Sequence, residues 1–308
     1  MIRKKIILIL ISLIFSSNIL FAEIKILLSV DDELITNYDL IKESNYFEIL
    51  NPNVKKLNNN QKLNLARNSL IKEIIKKKEI EKIKIVRDTN FMLDEYMSNF
   101  YRRLGFNSSK DFIGILKLKK NYTLDEIKNK IKIDFMWNDL IYSKYINQIK
   151  VNKQEIIIKV DSLKDEFEKE LLLSEIVFTK KKDKTLDEIS KEIKLSTQEI
   201  GFANTANIYS ESDSSKFGGK IGWISEISLS KQIAKELKLI EIGGITNIIK
   251  IGNNFLILKI EDIKLNKKIT NREKEIQNLI IQETNSQLEK FSKIFFDKIK
   301  LNYSINEN

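Results

Sequence analysis

Residues 170–178 read ELLLSEIVF, and here the chain changes from one kind of sequence to another. Leucine, isoleucine, valine and phenylalanine crowd into this short run, which fits the central strand of a sheet. Beyond it, Lys180 to Lys184 is a charged turn, and Thr185-Leu-Asp-Glu188 is a capping box opening a helix through Ile189 and Ile193. A second helix is expected from about Thr197 through Tyr209, followed by a polar loop from Ser210 to Phe217. Gly218 to Ile224 reads as a turn and short strand, and Ser230 to Leu237 as a helix. Ile248–Ile251 and Phe255–Ile260 form a hairpin across Gly252-Asn-Asn254. This order describes a small α+β domain. Four of the nine glycines fall in it as pairs, Gly218–Gly219 and Gly243–Gly244, and mark tight backbone.

Upstream, the section is mostly helical. Ile24 to Val30 is a short strand turned by Asp31–Asp32–Glu33 and continued by Leu34–Ile35, and Thr36 caps a helix to about Leu50. Residues 60–87 form one helix, with Leu63, Ala66, Leu70, Ile71, Ile74 and Ile75 at three- and four-residue steps. Its lysines, Lys76, Lys77 and Lys78 among them, read as a solvated face. Asp88 to Leu104 and Ser109 to Leu116 are further helices. Thr123-Leu-Asp-Glu126 and Asn152-Lys-Gln-Glu155 are capping patterns that open two more. Aromatic residues in 91–101 and 135–145 supply core, or an apolar groove for client segments.

Thr270-Asn-Arg-Glu273 caps a last helix through Ile276, Ile280, Leu288 and Phe291, and IKLNYSI from Ile299 to Ile305 alternates like a strand. An apolar helix and strand need a partner, and the helical section has matching faces. The expected fold is therefore α+β: a mostly helical domain completed by the C-terminal helix and strand, with one inserted α+β domain. The expected boundaries are 1–22, 23–165, 166–264 and 265–308.

Residues 1–22 have the build of a signal peptide. Arg3, Lys4 and Lys5 form a basic head, Ile6 to Ile14 is apolar apart from Ser12, and Ala22 offers a small residue for cleavage. The apolar run is short for a membrane span of about 20 residues. Export is expected, with cleavage near Ala22. The chain has no cysteine and no histidine, which excludes disulfides, thiolate chemistry and His-based triads. No cofactor and no metal are expected. The net charge is +10, with acids and bases interspersed. That field favours acidic partners or proximity to anionic membrane surfaces, and export argues against nucleic acid.

Several stretches in order resemble the SurA family of periplasmic chaperones, which carry a parvulin-like (PpiC-type) peptidyl-prolyl isomerase domain. They are V30-D-D-E-L-I-T36 with Asp39-Leu40, INQIKVNKQEI at 146–156, F202-A203 with Ala206 and Tyr209-Ser210, and GGKIGW at 218–223. Gly243–Gly244 with Ile245-Thr246 and FLILKI at 255–260 complete the set. The resemblance implies a periplasmic chaperone for unfolded or partly folded exported polypeptides, outer-membrane β-barrel precursors above all. It also implies where a prolyl pocket would lie. The family's two pocket histidines fall on or beside Glu175 and on Leu256, and its substrate-facing acid or cysteine near Ser212 or Asp213. A threonine falls on Ile251, and the pocket's methionine and phenylalanine on Leu229 and Ile233. Trp223 joins the apolar lining. The polar positions are degenerate, so two readings stand: a chaperone whose isomerase domain is inactive or weakly active, and an active peptidyl-prolyl isomerase working through a reduced pocket.

Overall fold

The computed structural model describes residues 24–83, 90–119, 122–161, 167–180, 184–267 and 272–307. The expected signal peptide lies outside these residues, as do Thr270, the 162–166 junction and the end of the helix read as 60–87.

The first strands are β1 (Ile26–Val30) and β2 (Glu33–Thr36), an antiparallel pair. Asp31 turns them at φ +52°, a left-handed conformation that aspartate tolerates better than most residues. Thr36 then caps α1 (Asn37–Leu50) through a reciprocal box with Asp39. The helices α2 (Asn59–Lys82), α3 (Asn90–Arg103), α4 (Ser109–Lys119), α5 (Leu124–Tyr145) and α6 (Lys153–Asp161) follow. The Thr123–Glu126 box at α5 forms in full, so two otherwise orphaned N–H groups are satisfied.

The inserted domain begins at β3 (Phe167–Thr179). It continues through α7 (Leu186–Ile200), α8 (Phe202–Tyr209), β4 (Lys220–Ser225), α9 (Lys231–Leu237), β5 (Ile249–Ile251) and β6 (Asn254–Lys267). Its sheet has the order β4-β3-β6-β5, antiparallel throughout. The expected boundary after residue 264 falls inside β6, because β3 and β6 pair from Thr179↔Asn254 out to Phe167↔Lys267. The helix expected from Thr197 is instead the end of α7. Gly201, at φ +82°, stops that helix and starts α8.

The helix α10 (Arg272–Lys300) returns to the helical lobe, and β7 (Ile305–Glu307) pairs with β1. Residues 299–305 are not one strand: Ile299 is the buried last turn of α10, and only Ile305 onward is extended. The main core joins Leu28, Val30, Ala66, Ile75, Trp137 and Ile141 to Phe295, Ile299 and Tyr303. Phe295 stacks on Trp137 at 5.6 Å and Phe291 on Tyr145 at 4.7 Å. Trp137 Nε1 donates to Ser292 Oγ at 2.8 Å, which satisfies the one polar atom of a wholly buried side chain. The helical domain is thus completed by the C-terminal helix and strand.

A second core holds Tyr46, Met97, Tyr101, Phe112, Tyr122 and Ile127. Part of the surface considered as a client groove is therefore packed: Tyr101 and Trp137, with Met97, Leu140 and Ile141, are buried. Tyr96 and Tyr142 remain exposed, and the side chains of Phe91 and Met92 lie outside the described residues.

Candidate active site

Strand alternation sorts the sheet of the inserted domain into two faces. Ile176, Phe178 and Ile257 point toward α7 and α8 with Ile189, Ile193, Phe202 and Ala206. Leu171, Leu173, Leu256, Leu258 and Ile260 point the other way, where Leu229, Ile233, Leu237 and Ile251 cover them. Four of the expected lining residues, Leu229, Ile233, Ile251 and Leu256, thus share one apolar cluster. Trp223 does not join it. It pairs with Leu172, on the face that carries Glu170 and Lys264, and the Lys264 ammonium sits 4.3 Å from its ring centre. The β3–β4 register shifts between Leu173 and Ser174, which leaves Ile221 as an extra residue of β4; Ile221 joins the apolar cluster and Trp223 does not.

Glu175 opposes Leu258, and Val177 opposes Leu256, so Glu175 is a diagonal neighbour of Leu256 on the same face. Its N–H donates to the Gly219 carbonyl at 2.8 Å. Its carboxylate accepts from Ser214 Oγ at 2.9 Å. Ser214 is 2.7 Å from Ser212, Ser212 is 2.9 Å from Ser210, and Ser210 accepts from Val177 N–H at 3.0 Å. A chain of three hydroxyls thus ends on Glu175. Ser214 and Ser210 were not among the expected site residues, yet alternate serines in Ser210-Glu-Ser-Asp-Ser214 were the visible sign of this chain. Burial raises the pKa of Glu175, and the Ser214 and Ser212 hydroxyls work against that rise.

Asp213 points elsewhere. Its carboxylate meets Lys72 at 2.6 Å and Lys76 at 3.9 Å, both on α2. These two lysines hold it well below the usual carboxylate range. Lys76 also reaches Asp134 at 2.8 Å, and Lys216 bonds the other oxygen of Asp134. The lysine run at 76–78 is therefore not wholly a solvated face, since Lys76 is only 3% exposed. Burial alone would make that charge costly; two acids repay it.

The same segment is held at further points. Asn51 Nδ2 donates to Asn207 Oδ1, and Asn204 Nδ2 donates to the Asn53 carbonyl at 3.0 Å. Phe217 packs against Phe100, with the Arg103 guanidinium 3.9 Å from its ring centre. The loop carrying Ser212 and Asp213 is thus part of the contact between the two lobes.

Glu289 of α10 faces this region. It is an exposed residue, yet protein atoms around its carboxyl, with Glu175 and Asp213 as like charges, push its pKa up to about 7. A carboxyl with a raised folded-state pKa costs stability once ionised. That cost begins above the unfolded value of about 4.3 and is complete above about 7. Glu289→Gln is therefore expected to match wild type in thermal melts at pH 4 and to gain on it steadily up to pH 8. A difference that does not vary with pH would count against this electrostatic account.

Residues 171–262 match the Rotamase family model, described as a PPIC-type PPIASE domain. Over 277 residues the chain is 31% identical to the periplasmic chaperone PpiD of Buchnera aphidicola, covering 83% of this chain and 42% of that protein. Over 229 residues it is 22% identical to the chaperone SurA of Pseudomonas putida, covering 70% and 53%. A solved structure from a study of two SurA-like chaperones of Campylobacter jejuni is 17% identical, covers 92% of this chain and 99% of its own, and superposes with a TM-score of 0.34. The chain spans about half the length, or less, of the curated relatives it matches. Apolar face, glycine turn and family match coincide over one segment: the chain carries a PPIC-type domain at 171–262 and is distantly similar to periplasmic chaperones of the SurA and PpiD kind.

Proposed function

We propose that this protein is a periplasmic chaperone for unfolded exported polypeptides, outer-membrane β-barrel precursors among them, and that its PPIC-type domain has little or no isomerase activity. The leader-like residues 1–22 and the similarity to periplasmic chaperones support the location. The observation that carries the activity reading is the fate of the polar positions. Leu256 is buried and apolar, Glu175 is occupied by Ser214, and Asp213 is occupied by Lys72 and Lys76.

Prolyl isomerisation breaks no covalent bond. The catalyst must favour a twisted amide against a barrier of about 18–20 kcal/mol. An apolar depression strips water from the proline ring, but a preorganised hydrogen bond has to be aimed at the twisted amide. Leu256 has no donor, and a carboxylate buried beside it is a poor substitute for a neutral imidazole. Of the expected polar positions Ser212 keeps a hydroxyl, itself bonded to Ser210 and Ser214, and the cluster of Leu229, Ile233, Ile251 and Leu256 favours the alternative reading, an active isomerase working mainly through shape.

Two assays divide these readings. Acceleration of cis-to-trans conversion in short Xaa-Pro peptides is expected to stay below about tenfold, a barrier change of about 1.4 kcal/mol. Acceleration of roughly a thousandfold that Leu229→Ala or Ser212→Ala abolishes would establish the active isomerase instead. Separately, the full chain should suppress aggregation of a urea-unfolded outer-membrane β-barrel protein on dilution. No suppression at molar excess would remove the chaperone reading.

A further inference from the structure

A cleft of about 360 Å³ opens between the lobes on the side of the sheet opposite the candidate prolyl pocket. Its volume falls in the range of about 300–1,000 Å³ typical of ligand sites. One wall is α2, which presents Gln61, Asn64 and Asn68 along a single stripe at spacings of three and four residues. The other wall is α7 and α8, with Glu192, Leu195, Glu199, Ile208 and Tyr209. The clamps described above, Asn51 to Asn207 and Asn204 to the Asn53 carbonyl, fix the spacing of the walls. The cleft is therefore preformed.

We infer that this cleft holds an extended polypeptide segment bearing apolar and cationic side chains. The inference rests on the chaperone reading and names a second place where a client is held. The side-chain amides of Asn64 and Asn68 make no hydrogen bond among the described residues, and the Gln61 side chain uses only its carbonyl, in the cap of α2. A side-chain amide offers both donor and acceptor, so a row of them can pair with main-chain N–H and C=O groups whatever the client sequence. An extended chain leaves those groups free, whereas a helix has already satisfied its own. Leu195 and Ile208 are 48% and 37% exposed on the facing wall and provide apolar seats. The lining contains two glutamates and no lysine or arginine, although the protein as a whole carries a net charge of +10. Lys184 meets Glu192 from the rim, while Glu199 has no ion pair among the described residues. A cationic side chain in the client fits that charge.

The test uses the full chain and a short fluorescein-labelled peptide of leucine, serine and arginine, followed by fluorescence anisotropy. Leu195→Lys is expected to raise Kd about tenfold, and the Asn64→Ala/Asn68→Ala pair about fivefold. A twin peptide with glutamate in place of arginine is expected to bind about fivefold more weakly. A photo-crosslinking residue at position 64 should capture the peptide in the otherwise wild-type protein, which does not depend on the stability of the other variants. Unchanged affinity in all these variants, with the peptide still bound, overturns the cleft and leaves client binding intact. Capture of a second copy of this chain instead of the peptide also overturns it. If wild type binds neither this peptide nor an unfolded β-barrel protein, the chaperone reading falls with it.

Discussion

Trp137→Ala is expected to destabilise the protein by about 3–5 kcal/mol, read as a fall in the urea midpoint with little change in slope. Trp137 is wholly buried and projects from α5 onto α10, where Phe295 stacks on it and Phe296 meets its edge. Alanine there removes the largest side chain of the main core and leaves a cavity that two long helices cannot collapse around. It also strips Ser292 of the indole N–H it accepts from. The second tryptophan is the internal control. Trp223 is 37% exposed on the outer face of the sheet, so Trp223→Ala is expected to cost less than about 1 kcal/mol. Comparable losses at both positions would mean that α10 does not complete the helical core.

Gly219→Ala is expected to cost about 3 kcal/mol or more and to disorder the base of the candidate pocket. A Cβ at 219 would lie 2.3 Å from the Glu175 carbonyl oxygen and 2.9 Å from the Ala206 Cβ. The first of these is backbone and cannot turn aside. The residue also sits at φ +79°, where a side chain costs roughly 1–2 kcal/mol by itself. Relief requires β3 and the glycine turn to separate, which breaks the Glu175 N–H bond to the Gly219 carbonyl. Backbone amide exchange at Glu175 and at Val177 should rise in the variant. Gly105→Ala is the comparison, since it is also at positive φ, +82°, but its Cβ would meet nothing within 4 Å. It isolates the conformational cost from the clash. Equal losses at Gly105 and Gly219 would show that close packing at Glu175 contributes nothing.

The sequence alone determined the class and order of the elements. Period-two and period-3.6 apolar patterns are local, and so are capping boxes such as Thr123–Glu126 and Thr185–Glu188; each fixes its element through contacts within a few residues. The apolar face of the C-terminal helix required a partner, and the helical section upstream had matching faces. Leu229, Ile233, Ile251 and Leu256 were named together only through the resemblance to the SurA family; that they line one side of one sheet came from the structure.

Tertiary structure decided what depends on partners distant in the chain. The parting of Ile221 and Trp223 onto different faces turned on a register shift in β4 opposite Leu173–Ser174, which no run of residues announces. The burial of Lys76 depended on Asp134 and Asp213, 58 residues and more away, because a lysine leaves water only where acids compensate its desolvation. Ser212 and Asp213 are adjacent in sequence, yet one joins the hydroxyl chain to Glu175 and the other is drawn to α2. A helix face can be read from spacing, but which charge it meets is settled only when the lobes close on each other, and in this protein that closure fixes the polar half of the candidate site.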